Sequence, residues 1–437
     1  MDQETKPRRG TNSSAALIPP SGGGPVIMEG HGAVVKDDEG RSYIDLEAGP
    51  GVSSVGHCHP HVVEAIRKQA GQLIHSPGRY SSRLAATLVE RLSALTGGLL
   101  NRTFFCNSGA EANDGAIKLS LKHALLRGKR SFGILALEHG FHGRLSLPLS
   151  LTGLTERKRG FGPYSSFPGV VHVPAPYCYR CPLRLDPATC GVACAEVVEE
   201  QLATRGPGEP AVMIAEPVLG VGGVIVPPAS YWQKICDICE RHKITLIFDE
   251  VFTGFARTGK MFAHQHFGVQ PEVMSFAKAI GGGVPLAGFT ANEEVGNAFE
   301  KGDHFSTFGV NNQVGLAAAH AVLDVLEHDH LADAAARKGE YFVSELRRLA
   351  ERHLSIGDVR GLGLMIGVEL VQDRKSKKPA PDLAARVIRE LASRGVLVAA
   401  TGVHHTVLRI TPPLVITDTE IGDVIERLDA SLTAARQ

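Results

Sequence analysis

The most informative absences in this chain are net charge, long apolar runs and an export signal. Its 46 basic residues balance 46 acidic residues, whereas proteins that bind nucleic acid or anionic membranes usually carry an excess of Lys and Arg. The longest apolar runs, such as 211–215 and 396–400, are far shorter than the roughly 20 residues that span a bilayer. No apolar signal-peptide core follows Met1. These absences argue against a nucleic-acid partner and against membrane association, and they predict a cytoplasmic protein.

What is present is typical of a large globular enzyme. The length of 437 residues is enough for two or three domains, at about 150 residues per domain. Hydrophobic residues make up 43% of the chain, enough for a sizeable core. We find no internal repeat and no coiled-coil heptads. The eight cysteines, in a chain without an export signal, are more typical of reduced, catalytic or metal-binding thiols than of a disulfide framework.

The middle of the chain, residues 85–325, alternates between short apolar runs and helical patterns. Apolar strands separated by helices predict an α/β domain with a mostly parallel sheet. The predicted strands are 103–106, 134–137, 212–215, 244–248, 273–276 and 286–290, and the clearest helices are 110–126 and 231–242. The last hundred residues predict a smaller α+β domain, with helices near 331–353 and 381–393 and strands at 364–370 and 406–410.

The N-terminal part of the chain differs from this middle part. Residues 1–24 are rich in Ser, Gly and Pro, which is typical of a flexible arm. A short hairpin around the turn 37–40 and a helix at 61–72 follow. We therefore predict an N-terminal segment of a small domain at 25–75, a large domain at 76–328 and the C-terminal part of the small domain at 329–437.

The first candidate site is the segment Asn107–Glu111, directly after a predicted strand. Ser108 followed by Glu111 predicts a capping box that opens a helix. The segment could be a well-capped helix and nothing more. Alternatively, the free backbone N–H groups at the start of this helix, together with the helix dipole, form an anion site that a phosphate can approach closely at Gly109.

Two further candidates stand at the ends of apolar strands. The pair Asp249 and Glu250 follows one strand, and Lys278, with three glycines at 281–283, follows another. Ligands of open α/β sheets bind beyond the carboxyl ends of the strands. This position therefore favours a functional role for the acidic pair over a structural one. Lys278 is either a surface lysine or a nucleophilic amine.

Together these segments resemble the class III pyridoxal-phosphate aminotransferases, members of the fold type I superfamily, over residues 25–430. Fold type I implies a large domain with a mostly parallel central sheet and a smaller α+β domain built from both chain ends. The matching segments are Gly56–Pro60, Asn107–Asn113, Phe141–Arg144, Ala215–Pro217, Asp249–Gly259, Ala277–Lys278, Thr307–Gly309, Arg360–Gly363 and Arg409–Leu414.

The resemblance implies a role for each candidate. Lys278 would form the Schiff base with pyridoxal phosphate and then move the substrate proton, and Asp249 would keep the pyridine nitrogen protonated. Phe141 would stack on the ring. Thr307 would reach the phosphate from the second subunit of a homodimer, which could assemble further. The implied cofactor-binding residues are Ser108, Gly109, Ala110, Phe141, His142, Glu216, Asp249, Val251, Lys278 and Thr307.

Three departures from the family pattern bear on the substrate. Phe252 replaces a glutamine that many members carry near the cofactor. Val221 stands where members with two different carboxylate substrates place a glutamate that shields the substrate arginine. We expect Arg409 to bind the carboxylate of the oxo acid and, with Val221 unable to shield it, to remain available in both half-reactions. After Thr307–Gly309, the usual Gly-Asn-Pro is replaced by residues 310–312.

Four cysteines, Cys178, Cys181, Cys190 and Cys194, have a spacing typical of metal ligands. They predict a zinc or iron–sulfur centre, unless they are reduced thiols packed in a compact loop. A comparable loop occurs in some relatives of the 4-aminobutyrate aminotransferase type.

The function that the resemblance implies is transamination by a ping-pong Schiff-base mechanism. The donor would be an ω-amino acid or amine of the 4-aminobutyrate kind, and the acceptor an oxo acid such as 2-oxoglutarate or pyruvate. A racemase, an aminomutase or a decarboxylating aminotransferase of the same family is the first alternative, although Arg409 favours transamination of acids. A metal-binding protein without pyridoxal phosphate, organised by the cysteines, is the second.

Overall fold

The computed structural model describes residues 24–77, 79–130, 132–204, 210–304 and 306–435. Of the predicted N-terminal arm, residues 1–23 lie outside the described residues.

The strands and the helices of the described residues are numbered separately, each in chain order. The strands are β1 Ile27–His31, β2 Val34–Asp37, β3 Ser42–Asp45, β4 Arg102–Cys106, β5 Gly133–Leu137, β6 Val170–Val173, β7 Pro210–Ala215, β8 Thr245–Asp249, β9 Val273–Phe276, β10 Ala287–Ala291, β11 Ile356–Leu362, β12 Met365–Asp373, β13 Lys378–Pro379, β14 Val396–Leu397, β15 Ala399–Thr401 and β16 Val407–Ile410. The helices are α1 Ala48–Gly51, α2 Pro60–Ala70, α3 Arg83–Leu95, α4 Gly109–Leu126, α5 Ser146–Leu151, α6 Thr155–Lys158, α7 Ala193–Thr204, α8 Tyr231–Arg241, α9 Glu293–Gly296, α10 Gln313–His328, α11 Leu331–Arg352, α12 Pro381–Ser393 and α13 Asp418–Ala434.

A seven-stranded sheet occupies the centre, with the strand order β4-β10-β9-β8-β7-β5-β6. Strands β6, β5, β7, β8 and β9 run parallel to one another. Strand β10 is antiparallel to both of its neighbours, β4 and β9. The prediction of an α/β fold with a mostly parallel sheet is confirmed.

The central strands β5, β7, β8 and β9 are buried along their whole length because helices cover both faces of the sheet. Successive side chains of a strand point to opposite faces. From β5 and β7, Leu135, Leu137, Met213 and Ala215 pack into a core with Trp232 of α8. Their neighbours Ile134, Ala136, Val212 and Ile214 pack on the other side with Ile117 of α4.

Two smaller sheets use residues from the ends of the chain. One has the order β1-β2-β3-β14 and so joins the N-terminal hairpin to a strand near residue 396. The other has the order β11-β12-β16-β15, with β13 paired to β12, and all its pairings are antiparallel. The division into domains at residues 75 and 328 stays a prediction. Within the part of the chain that is described, no helix is both long and apolar enough to cross a membrane.

Candidate active site

One cavity of about 160 Å³ lies beyond the carboxyl ends of the parallel strands. Strands β5, β7, β8 and β9 each deliver a loop or a terminal residue to its wall, as expected for a ligand site of an open α/β sheet. Its lining consists of Gly109, Ala110, Asn113, Phe141, His142, Gly143, Glu216, Val221, Asp249, Val251, Phe252 and Lys278. Most of the residues that the sequence predicted for the cofactor site therefore meet in one place.

Asp249, the last residue of β8, is held rigidly in this cavity and is 2% exposed. Its Oδ2 accepts hydrogen bonds from Asn113 Nδ2 at 2.7 Å and from His142 Nδ1 at 2.8 Å. Its Oδ1 accepts one from the backbone of Val251 at 3.0 Å. Buried polar groups need such partners, and three donors fix the direction of this carboxylate.

Asn113 is a positioning residue to which sequence reasoning gave no role. It lies on α4, 1% exposed, and its Nδ2 also donates to His142 O at 2.8 Å. Its Oδ1 accepts from Ser275 Oγ on β9. Asn113 thus ties the carboxylate of Asp249 to two other elements. The only sequence signal was its position one helical turn after Gly109.

Glu250, the neighbour of Asp249, has no part in the cavity. It is fully buried, and its carboxylate accepts from the backbone N–H groups of Ala263 and His264 at 3.0 and 2.9 Å and from Thr253 Oγ1. Alternation along the chain sends the two carboxylates to different places. Of the acidic pair, only Asp249 lines the cavity.

Glu216, directly after β7, holds two loops of the cavity. Its Oε1 accepts from Phe141 N at 2.8 Å and its Oε2 from Gly220 N at 2.9 Å. Burial, and then the nearby negative charge of Asp249, raise the pKa of this carboxyl group to about 7. The bond from Phe141 N places that aromatic residue at the wall of the cavity.

Lys278 lies just after β9, with its amine in the cavity. Its backbone φ is +52°, a left-handed conformation that is uncommon for any residue except glycine and is often found at functional sites. Burial lowers the pKa of the amine to about 8, although the charges of Asp249 and Glu216 act in the opposite direction. A lysine held in this way is neutral far more often than an exposed one.

Helix α4 begins at the cavity, and its capping differs from the prediction. Ser108 Oγ accepts from Glu111 N at 3.3 Å, as a capping residue should. The Glu111 carboxylate, however, accepts from Asn107 N at 2.7 Å rather than from Ser108 N.

The first N–H groups of a helix have no acceptor within it. A side chain at Gly109 would come within 2.7 Å of Val251 Cγ1, so only glycine fits there.

Phe252, in the lining of the cavity, lies close to two basic side chains: Lys278, which is also in the lining, and Arg409, which is not. Lys278 Nζ lies 4.3 Å from the centre of its ring and the Arg409 guanidinium carbon lies 5.3 Å from it. Arg409, on β16, is itself paired with Glu47, whose Oε1 lies 2.9 Å from an Arg409 terminal nitrogen. The expectation that Arg409 has no shielding carboxylate is therefore wrong. Val221 cannot shield it, as predicted, but Glu47 from the N-terminal segment takes that place.

Thr307 lies outside this lining and beside the start of α4 in the same chain. Its carbonyl oxygen accepts from Asn107 Nδ2, and its Oγ1 lies 3.5 Å from a carboxylate oxygen of Glu111. A contribution of Thr307 to the phosphate site of a second subunit stays a prediction.

The predicted metal centre needs correction. Cys178, Cys181, Cys190 and Cys194 do line one small cavity. Among the described residues, however, no group of three or more His, Cys, Asp or Glu side chains could hold a metal ion. Burial raises the pKa of Cys194 to about 11 and also raises that of Cys178. All four are free cysteines, which agrees with the alternative of reduced thiols packed in a compact loop.

Comparison with known proteins gives a consistent result. Residues 22–432 match the family model of class III aminotransferases. The chain is 38% identical to the acetylornithine aminotransferase of Methanocaldococcus jannaschii, over 94% of each protein. It is 33% identical to a probable 4-aminobutyrate aminotransferase of Bacillus subtilis, over 94% of this chain and 93% of the relative.

A solved structure is similarly close. An (S)-enantioselective ω-transaminase from Thermomicrobium roseum superposes with a TM-score of 0.89 at 35% identity, covering 94% of this chain and 93% of that one. The fold is therefore that of the fold type I transferases, and family membership implies pyridoxal phosphate as the cofactor. On its sequence, its fold and the residues of its cavity, the chain belongs to the class III aminotransferases.

Proposed function

We propose that this transaminase moves an amino group from an ω-amino acid or amine to an oxo acid such as 2-oxoglutarate or pyruvate. The observation that carries the proposal is the meeting of three groups at one cavity: the Lys278 amine, the Asp249 carboxylate and the N-terminus of α4. A proton-transfer group, a fixed negative charge and an anion site are the parts that such a transfer needs.

The residues present fit pyridoxal phosphate. The N–H groups of Ser108, Gly109 and Ala110 would hold its phosphate, because the helix dipole favours an anion there. Asp249 would hold the pyridine nitrogen, and Phe141 would cover a face of the ring. His142 and the backbone N–H of Val251 would keep Asp249 in place through their hydrogen bonds to its carboxylate. Glu216 would keep Phe141 in place by accepting a hydrogen bond from its backbone N–H. When bound, the cofactor supplies a sink for the electrons left behind by the substrate proton.

The residues of the chain itself would supply the nucleophile, the proton transfer and the binding of the substrate. Lys278, with its lowered pKa, offers a neutral amine that can attack a carbonyl carbon and later take or return a proton. The three donors to Asp249 keep that carboxylate oriented. The centre of the Phe252 ring lies 4.3 Å from the Lys278 amine and 5.3 Å from the Arg409 guanidinium carbon, so it offers an apolar face between the reacting end and the carboxylate end of a substrate. Arg409 offers a planar pair of donors to a substrate carboxylate.

The donor class rests on the relatives together with Arg409. Acetylornithine and 4-aminobutyrate, named for two relatives, both bear a terminal amine distant from a carboxylate. A panel of N-acetylornithine, 4-aminobutyrate and amines without a carboxylate should be tested against the purified holoenzyme, followed by 2-oxoglutarate or pyruvate. We expect the cofactor spectrum to convert with a terminal-amine donor and to return with an oxo acid. Absence of conversion with every donor would refute the proposal.

The acidity of Lys278 gives a pH prediction. At a pKa of about 8, the amine is a protonated, unreactive ammonium below pH 8 and a neutral nucleophile above it. Covalent capture of pyridoxal phosphate by the apoprotein should therefore speed up as the pH rises, with a midpoint near pH 8, and level off once the amine is fully neutral. Stopped-flow absorbance would measure this. The variant Glu216→Gln, which removes a charge that stabilises the ammonium, should move the midpoint lower. A wild-type midpoint near 10 would contradict the prediction.

We further propose that the active form is a homodimer. Leu73, Ile74 and Phe308 are 47%, 64% and 63% exposed, and they belong to one surface. The rings of His75 and Phe308 lie 4.5 Å apart, and Gln313 N donates to Ile74 O. Contiguous exposed apolar residues mark interaction surfaces, and this one lies beside Thr307.

Placing a charge on that surface tests the dimer. Phe308→Asp should shift the protein from a dimer to a monomer in light scattering after gel filtration, because an unpaired carboxylate in an apolar interface is costly. Leu354→Asp, at a residue that is also exposed (67%) but elsewhere, should leave the mass unchanged. If wild-type protein is a monomer, or if both variants behave alike, this surface is not the interface.

A further inference from the structure

Arg409 is a buried cation whose hydrogen-bonding capacity is only partly used. It is 7% exposed, and its Nε has no hydrogen-bond partner among the described residues. Burial lowers the pKa of its guanidinium, and the nearby positive charge of Arg157 acts in the same direction. A buried guanidinium needs an anion. The protein therefore has to provide one whenever a substrate does not.

Glu47 provides that anion through a single contact. Its Oε1 accepts from an Arg409 terminal nitrogen at 2.9 Å. Among the described residues, the Glu47 side chain makes no other hydrogen bond. The Glu47 side chain is 33% exposed. Glu369 shows the opposite arrangement: its side chain is 1% exposed and is bound by Tyr177, Arg180 and Arg360 together. A carboxylate held once and partly solvated can leave at little cost, unlike Glu369.

The backbone of Glu47, by contrast, is fixed. Its N–H donates to Asp45 Oδ1 at 2.8 Å, and its carbonyl oxygen accepts from Gly51 N at 2.9 Å and from Thr411 Oγ1 at 3.3 Å. Thr411 N also donates to Leu46 O at 2.7 Å. These bonds join the segment before α1 to the end of β16, where Arg409 lies. Only the side chain of Glu47 is left to move.

We propose that Glu47 is a movable counter-ion of Arg409, through which one site accepts substrates that differ by a negative charge. This inference rests on the proposed function. An incoming oxo acid displaces the Glu47 carboxylate, which turns to solvent, and takes the paired donors of Arg409. An amine donor without a carboxylate at this end leaves the Glu47–Arg409 pair closed. Glu47 is thus a specificity-determining residue, and it sets how well the site accepts oxo acids relative to amines without a carboxylate.

The isosteric variant Glu47→Gln tests this directly. Without the competing carboxylate, glutarate, a dicarboxylic acid that cannot react, should bind the holoenzyme about tenfold more tightly in calorimetry, a change of about 1.4 kcal/mol. KM for the oxo acid should fall similarly in its half-reaction. For an amine without a carboxylate, kcat/KM should fall about tenfold, because the buried Arg409 is then unpaired.

Two further variants make the result specific. Glu47→Asp keeps the charge but shortens a side chain on a fixed backbone, so it should shift acid and amine in the same directions as Glu47→Gln. Asp418→Asn removes the same charge from an exposed pair with Arg337 and should change neither glutarate binding nor the ratio of acid to amine.

The outcome separates this inference from the proposed function. If the wild-type cofactor never responds to any amine or oxo acid, the proposed function fails. If the wild type responds but Glu47→Gln changes acid and amine half-reactions by the same factor, or changes only thermal stability, Glu47 holds the fold and the inference is overturned. Unchanged glutarate binding in Glu47→Gln would overturn it as well.

Discussion

Lys278→Ala is expected to lose about 10³-fold or more in turnover while the protein stays folded. The amine is the one group of the cavity that combines a lowered pKa with nucleophilic character, and a positioned proton-transfer group alone contributes about 10²- to 10⁴-fold. The cofactor should still bind to this variant through the start of α4 and Asp249. Borohydride should fix the cofactor to Lys278 in the wild type and to no residue in the variant, as peptide mass analysis would show.

A control for this variant is Lys234→Ala. Lys234 is an exposed lysine of α8 that pairs with Glu196 at 2.9 Å, far from the cavity lining, and its loss should not change turnover. Ordinary activity in Lys278→Ala would refute the whole mechanism. Loss of activity together with loss of folding, seen by circular dichroism, would instead assign Lys278 a structural role.

Asp249→Ala should give the second largest effect, a loss of about 10²- to 10³-fold in turnover, comparable to removing a preorganised charge from other active sites. The carboxylate cannot be replaced by water without loss, because its direction is fixed by Asn113, His142 and the Val251 backbone. The cofactor spectrum should also change, since protonation of the pyridine nitrogen depends on this charge. Steady-state kinetics and absorbance spectra would measure both effects.

The neighbouring residue supplies the contrast for Asp249. Glu250→Gln changes an equally buried carboxylate that binds the backbone of residues 263–264. This variant should lower the free energy of unfolding, by about 1–3 kcal/mol for a buried hydrogen-bond acceptor that is lost, with the chemistry retained in the folded fraction. If Glu250→Gln impairs turnover as much as Asp249→Ala without destabilising the protein, the division between the two carboxylates is wrong.

Much of the central sheet and its site could be predicted because the signals are local. Asp249 ends one largely apolar strand and Lys278 comes just after another, and a strand end beside polar residues is visible in a short window of sequence. Ser108 likewise precedes a helix within the same few residues. The direction of β10 could not be predicted, since an apolar run reads the same in a parallel and an antiparallel neighbour.

The residues that sequence reasoning missed act through distant partners. Glu47 has a role only because β3 and β16 bring it to Arg409, and no spacing along the chain encodes that approach. Asn113 resembles any polar residue of a helix until its contacts with Asp249 and Ser275 are known. The cysteine spacing misled for the related reason that spacing does not specify whether the fold brings the thiols together as a set of metal ligands, and among the described residues it does not.

The pairing of β3 with β14 has a consequence for synthesis of the chain on the ribosome. Ile44 lies opposite Val396, about 350 residues later. At about 5–20 residues per second, the N-terminal hairpin waits roughly 20–70 s for its partner strand. During that time β3 presents an unpaired edge, a hazard for aggregation. Glu47 and Arg409 come from the same two ends, so the pair proposed to set the selectivity of the enzyme cannot form until nearly the whole chain has been made.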